Sequence, residues 1–241
     1  MKILITGGTG LLGTALTKKF VEEGSEVIIL TRRRISQPQK KNSSVLYINN
    51  LSQIEPSDKI DVIINLAGET ISKRWSKSIK QELINSRVKI TREILNLIRN
   101  TKHKPEVFIS GSAIGFYGNS KDQEFIETST PNKCFTHEVC NRWEIEAQSA
   151  KDLTRVCLIR TGIVLSKDGG ALKQMLPAFK LGLGGVMGEG SQWMSWIHID
   201  DFVYAVQKII EDKKISGPVN VVSPNPVTNK TFTKDLGNTL R

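Results

Sequence analysis

Cysteine, histidine and aromatic side chains are scarce in this chain, and it has no long apolar run. Its three cysteines, Cys134, Cys140 and Cys157, are scattered through 241 residues without close pairing. That argues against a disulfide framework or a zinc module and suits a reducing cytoplasm. The three histidines, His103, His137 and His198, are far apart and show no metal-ligand spacing. No uncharged apolar stretch approaches the ~20 residues needed to cross a bilayer, so no membrane span is expected. The opening MKILITGGTG runs into glycines after five residues, so no signal peptide is expected either. Hydrophobic residues at 39% and charged residues at 24% are too apolar and too mixed for a disordered chain. They fit one large globular domain, or one domain with a small lobe.

Charge is the first positive feature. Lys plus Arg total 34 against 24 Asp plus Glu, for a net +10. The excess sits in residues 1–120, which carry 19 basic and 10 acidic side chains, against 15 and 14 in residues 121–241. From Lys73 to Lys104, ten basic residues face only Glu82 and Glu93. Nucleic acid, an anionic membrane surface or a polyphosphate ligand would each account for such a half, as would a solvated helix face. Aromatic residues make up 6% and are not interleaved with this run as in a single-strand binder. The solvated face is the reading kept, with no nucleic-acid or membrane partner expected.

Continuous apolar, β-branched runs cover residues 2–6, 26–31, 45–48, 61–66, 106–110, 155–160 and 219–222. Runs of this kind belong to strands buried on both faces of a parallel sheet. Helical patterns lie between them at 10–23, 79–99, 136–150, 171–181 and 200–212. The alternation predicts right-handed βαβ units in a doubly wound, Rossmann-type α/β sheet. The expected layout is a core over residues 1–165, rejoined by part of 200–222, with a small loop-rich substrate lobe over residues 166–241. Two Gly-rich stretches, 114–120 and 182–191, read as active-site loops.

The strongest motif is KILITGGTGLLG, in which Gly7, Gly10 and Gly13 follow a strand and open a helix. One glycine permits the tight turn, one lets backbone approach a pyrophosphate, and one lets helix and strand pack closely. The turn and first helical residues, Thr9, Gly10, Leu11, Leu12 and Gly13, are the expected phosphate contacts, with Thr6 and Thr9 hydroxyls as extra donors. After the second strand an NAD site usually carries Asp or Glu, to accept from the ribose 2′-hydroxyl. Here the sequence reads VIILTRRR, placing Thr31, Arg32, Arg33 and Arg34 there. A carboxylate repels a 2′-phosphate and a guanidinium binds it, so NADP(H) is predicted over NAD(H). The plainer alternative is a basic solvated loop. In DVIINLAGE, residues 61–69, the small Ala67 and Gly68 beside Leu66 leave room for a cofactor at the carboxyl end of a strand.

Taken together, ITGGTGLLG, NLAGETISKRW, SRVKITREIL, SGSAIGFYG, EVCNRWE, NPVTN and the long stretch from IRTGIVLSKDGG to WIHIDD run in family order along the chain. They resemble the extended short-chain dehydrogenase/reductase superfamily, and within it an atypical sugar-nucleotide epimerase-like family of the NAD-dependent epimerase/dehydratase group. The resemblance implies an NADP(H)-binding oxidoreductase or epimerase acting on a small molecule, such as a nucleotide sugar. By matching position it carries over Thr31, Arg32, Leu66, Ala67, Glu82, Arg87 and Val164 as cofactor contacts. Without it, Glu82 and Arg87 read as surface charges. It also implies a homodimer through the helices at 79–99 and 136–150, and a small C-terminal family module that this sequence, ending at Arg241, is not expected to include.

Superfamily catalysis uses a Ser or Thr with a Tyr and Lys four apart on a helix, the Lys lowering the tyrosine pKa. Aligning Glu144 in helix 136–150 puts Thr136 at the tyrosine position and Cys140 at the lysine position, so the pair is missing. Tyr117–Lys121 lies in a loop and Tyr204–Lys208 far along the chain, and both pairs read as decoys. Ser112 matches the superfamily serine and is the best single catalytic candidate; its alternative is a turn serine bonded to its own backbone. Tyr117 alone is a second candidate, because its loop leaves the fifth strand where nicotinamide belongs; otherwise it is a packing residue. Cys140 reads as a buried helix cysteine, His198 as a structural histidine, and Asp200 as the cap of the following helix. An enzyme using Ser112, with Tyr117 or water as proton donor, is one reading. A non-catalytic NADP(H)-binding module is the other.

Overall fold

The computed structural model describes residues 1–32 and 43–240. Each apolar run of the sequence becomes a strand of one sheet: β1 (Lys2–Thr6), β2 (Glu26–Leu30), β3 (Val45–Ile48), β4 (Val62–Asn65), β5 (Val107–Ala113), β6 (Arg155–Thr161) and β10 (Gly217–Val221). All pair in parallel, in the order β10-β6-β5-β4-β1-β2-β3. The sheet is Rossmann-like. The strand order reverses beside β1, between β2 and β4, and this opens a crevice at the carboxyl ends of β1 and β4.

Alternate strand residues feed two separate cores, which is why the runs are apolar throughout rather than every second residue. Ile3, Ile5, Val27, Ile29, Ile64 and Ile109 pack with α1 (Leu11–Glu22) and α5 (Ile199–Glu211), through Leu16, Phe20, Phe202 and Val206. Leu4, Ile28, Ile63 and Phe108 pack on the opposite face with α2 (Lys77–Asn100) and α3 (Phe135–Gln148), through Ile94, Leu95, Ile98 and Ala147. In α2 those apolar residues recur at helical spacing, and Ser76 caps the first turn by accepting from the Ile79 N–H.

The elements beyond β6 are short. β7 (Ile163–Leu165) pairs with β9 (Trp196–His198), and β8 (Trp193–Met194) with β11 (Val227–Thr228). These strands of two or three residues carry no period to read. With α4 (Gly170–Lys180) and α6 (Asn229–Thr239) they form a thin layer in which α4 buries no residue fully and α6 only Asn229. One expectation is corrected here. The cap of α5 is His198, whose Nδ1 accepts from the Asp200 N–H, while Asp200 sits in the first turn. No helix among the described residues is long and apolar enough to cross a membrane.

Candidate functional site

The glycine turn fits the end of β4 with no room to spare. Gly7 has φ +74°, a left-handed conformation that side chains disfavour, and a Cβ there would lie 2.8 Å from the Leu66 carbonyl carbon and 3.0 Å from the Ala67 nitrogen. Inside α1, a Cβ on Gly13 would collide with the Gly7 oxygen and the Gly8 Cα. Both glycines therefore draw main chain against main chain, and the helix start is held at the mouth of the crevice. Gly10 caps α1 with no side-chain bond, and the first turn carries no acidic residue. The leading N–H groups of α1, from Leu11 on, thus keep their partial positive charge for an anion.

Thr6 is not among the free donors. It is buried, and its hydroxyl donates to Asn65 Oδ1 at 2.6 Å. Asn65 Nδ2 donates in turn to Thr91 Oγ1 at 2.8 Å, and Thr91 donates to the Arg87 carbonyl. The chain of bonds ties the turn to α2. Thr9 is exposed at the rim. A cavity of about 710 Å³ reaches Thr9, Gly10 and Leu11 from the α5 side, bounded by Ser166, Asp168, Gly169, Gly170 and Tyr204.

Thr31 is buried at the end of β2, and Arg32 beyond it is 92% exposed, with Nη2 3.8 Å from Glu69 Oε2. Arg33 and Arg34 lie outside the described residues. Glu69 also meets Lys73 at 3.2 Å, and that hydrogen bond is the main cause holding its carboxyl below the usual range. Lys73 lies 3.6 Å from exposed Glu82 as well. Leu66, Ala67 and Gly68 lead from β4 into this loop, with the Leu66 N–H bonded to the Thr6 carbonyl at 3.0 Å. Against Gly68 sits Arg87, whose guanidinium donates to the carbonyls of Leu83 and Glu69. Burial pulls the Arg87 pKa down, and no carboxylate among the described residues is within ion-pair distance of it. The guanidinium also lies over the Trp143 ring, 5.2 Å from its centre, and the Glu69 carboxylate acts on it only from a distance. Val164 lies in β7 beside Ile197 and packs on the α1 core.

The two catalytic candidates are brought together, but through other side chains. Ser112 Oγ donates to Glu144 Oε1 at 2.6 Å. Arg160 clasps the same carboxylate in a fork, Nε to Oε1 and Nη2 to Oε2, both at 2.9 Å. Arg160 Nη1 donates to the Tyr117 hydroxyl at 3.0 Å, and that hydroxyl donates to Asn220 Oδ1 at 2.6 Å. The Arg160 guanidinium also lies 3.5 Å from the Phe116 ring centre. Burial alone would lower the Arg160 pKa, but Glu144 and Tyr117 more than offset it and raise it. Ser112, Tyr117, Glu144 and Arg160 are all buried.

Glu144 and Arg160 went unnoticed as site residues in the sequence, though a signal existed. Glu144 occupies an inward position of α3 with Val139, Cys140, Trp143 and Ala147, and Arg160 interrupts the apolar run of β6. A charge of each sign on two buried faces implies a pair.

On α3, Thr136 and Cys140 face the turn that continues β5: a Cβ on Gly115 would lie 3.0 Å from Thr136 Cβ and 3.8 Å from Cys140 Sγ. The Cys140 thiol is pushed up to about 11, by burial first and the Glu144 carboxylate second, which leaves no thiolate near neutral pH. Tyr204 lies on the outer side of α5, beneath Lys19. No group of three metal-binding side chains occurs among the described residues.

Residues 3–222 match the model of the NAD dependent epimerase/dehydratase family. The chain belongs to that family. Among curated members it is similar to the chloroplastic epimerase family protein SDR39U1 homolog of Arabidopsis thaliana, 36% identical over 246 residues, covering 100% of this chain and 71% of that protein. The crystal structure of human epimerase family protein SDR39U1 (isoform 2) with NADPH superposes with a TM-score of 0.88 at 31% identity, over 100% of this chain and 80% of the other. The nucleoside-diphosphate sugar epimerase of Corynebacterium glutamicum has a TM-score of 0.79 at 36% identity, over 99% of this chain and 50% of the other.

Proposed function

We propose that this epimerase/dehydratase family member binds NADP(H) and acts as an oxidoreductase or epimerase on a small molecule. The observation that carries the proposal is the close-set glycine turn opening α1, with Arg32 at the end of β2 where a ribose phosphate would lie. The human structure holding NADPH at 31% identity supports it. The residues present fit the cofactor: the Gly7 and Gly13 cradle leaves no space for a side chain, the α1 start has no acid, and Arg87 has no carboxylate within ion-pair distance among the described residues. Gly7, Thr9, Gly10, Leu11, Leu12 and Gly13 would hold the pyrophosphate, and Thr31 and Arg32 the adenosine end. Leu66, Ala67, Gly68, Glu82, Arg87 and Val164 would line the rest. Bound there, the cofactor supplies or takes a hydride.

At the reacting end Ser112 is the proposed substrate contact. Its proton is committed to Glu144, so it offers lone pairs and accepts from a substrate hydroxyl. Tyr117, with its proton on Asn220, is proposed as a positioning residue for Arg160, which leaves water as the proton donor. The missing Tyr–Lys pair and these engaged hydroxyls favour a second reading, a non-catalytic NADP(H)-binding module.

A paired titration with NADPH and NADH, followed by nicotinamide fluorescence, tests the proposal. NADPH is expected to bind at least about tenfold tighter, and Arg32→Ala to remove roughly 1.5–3 kcal/mol of NADPH affinity alone. Equal losses for both nucleotides would sink the phosphate assignment. Binding of neither would sink the oxidoreductase reading. Oxidation of bound NADPH by a carbonyl compound separates the enzyme from the module.

A further inference from the structure

Two glycines make room for a run of side-chain contacts toward the carboxyl ends of the neighbouring strands β4 and β5. A Cβ on Gly68 would lie 2.9 Å from the Arg87 guanidinium carbon, and a Cβ on Gly111 would lie 2.5 Å from Trp143 Cη2. Arg87 comes from α2 and Trp143 from α3, and the guanidinium lies over the indole ring. Gly68, Arg87, Trp143 and Gly111 are thus in unbroken contact. Trp143 is buried, and its Nε1 meets no acceptor among the described residues. The fold therefore uses the face of this ring and not its polar atom.

The other partners of Arg87 are the Leu83 and Glu69 carbonyls, which accept at 2.9 and 3.1 Å. One ring and two carbonyls hold the cation, and none of them carries a net charge. The acids on the surrounding turns are engaged elsewhere. Glu69 and Glu82 share Lys73, Glu144 is clasped by Arg160, and Glu146 is paired with Arg92 at 2.8 Å. A carboxylate in contact would neutralise the guanidinium before a ligand phosphate arrived. A ring face attracts it through the quadrupole and leaves its charge intact. Holding a long side chain in place beforehand also removes rotamer freedom that binding would otherwise have to take away.

We propose that Trp143 is a positioning residue of the cofactor site, whose ring face holds the Arg87 guanidinium ordered and un-neutralised for the phosphate charge of the bound dinucleotide. The proposal rests on the reading of Arg87 as a cofactor contact.

NADPH titrations of Arg87→Ala, Trp143→Leu, Trp143→Phe and the double variant Arg87→Ala/Trp143→Leu test it. Arg87→Ala is expected to bind about tenfold more weakly and Trp143→Leu about fivefold. Trp143→Phe should stay within about twofold of the parent, and the double variant should bind no more weakly than Arg87→Ala alone. Losses that add in the double variant overturn the proposal, as does parental affinity in Trp143→Leu. Failure of Trp143→Phe to restore binding also overturns it, by giving the role to Nε1. Should Trp143→Leu not fold, 5-fluorotryptophan at all four tryptophans keeps the ring shape and weakens its face. It should then cost about twofold in affinity in the parent and nothing in Arg87→Ala; an equal effect in both overturns the proposal. Parental affinity in Arg87→Ala sinks the cofactor reading of Arg87 itself, whereas a loss there that Trp143 does not share sinks this inference alone.

Discussion

At the β1–α1 turn the surface offered to a ligand is main chain, whereas at the end of β5 it is side chains already satisfied by one another. The first region is made by removing atoms: Gly7 and Gly13 let backbone approach backbone, and the N–H groups of α1 stay unclaimed. The second is made by burying charge: Glu144, Arg160, Ser112 and Tyr117 are joined in one chain of bonds that runs on to Asn220 and the Glu127 carbonyl. A site of the first kind can bind an anion as it stands. A site of the second kind supplies a rigid floor and few free protons, which is why the missing Tyr–Lys pair matters more here than it would beside looser side chains.

The contrast predicts separable failures. Glu144→Gln should have the largest effect, because it leaves the buried Arg160 charge without its counterion. Urea unfolding should show a loss of about 3–5 kcal/mol, while NADPH affinity of the folded fraction moves less than about threefold. A large affinity change would mean the two regions are coupled. Gly13→Ala should do the reverse, costing about 3 kcal/mol of stability through overpacking against main chain and abolishing NADPH binding in the protein that still folds. Retained binding would show that the turn is only a strand–helix junction.

The smallest effect concerns Cys140. Its folded thiol titrates at about 11 against an ordinary 9.0, so between those values the unfolded chain releases its proton first and stability falls as pH rises. Relative to Cys140→Ala, the parent should lose about 2 kcal/mol over that window. A constant difference between the two proteins would place the thiol in contact with water.

What could be read in advance follows the same division. The sheet strands and five of the helices were legible within a few residues, because each rests on local periodicity and on burial of both sheet faces. The glycine turn was legible because its three glycines span seven residues. The floor of the site was not: Ser112 meets Glu144 across 32 positions and Tyr117 meets Asn220 across 103, and no spacing rule links residues so far apart. The sequence therefore leaves Tyr117 open between a proton donor and a packing residue, and says nothing of the Asn220 acceptor that its hydroxyl meets. Likewise Arg87 owes its place to the fold of the 66–76 loop over α2, and only the family resemblance singled it out.

That floor also sets an order of events during synthesis. The β1–α1–β2 unit and β4 are complete once residue 65 has emerged, so the cofactor turn is able to form on the nascent chain. The buried charge cluster needs Asn220 on the last sheet strand, which caps the Tyr117 hydroxyl and is itself held by Glu127 and Phe125. Until β10 docks beside β6, Arg160 and Glu144 sit under an open edge, and a ribosome paused before residue 217 would hold a chain with a finished nucleotide turn and an unsealed interior.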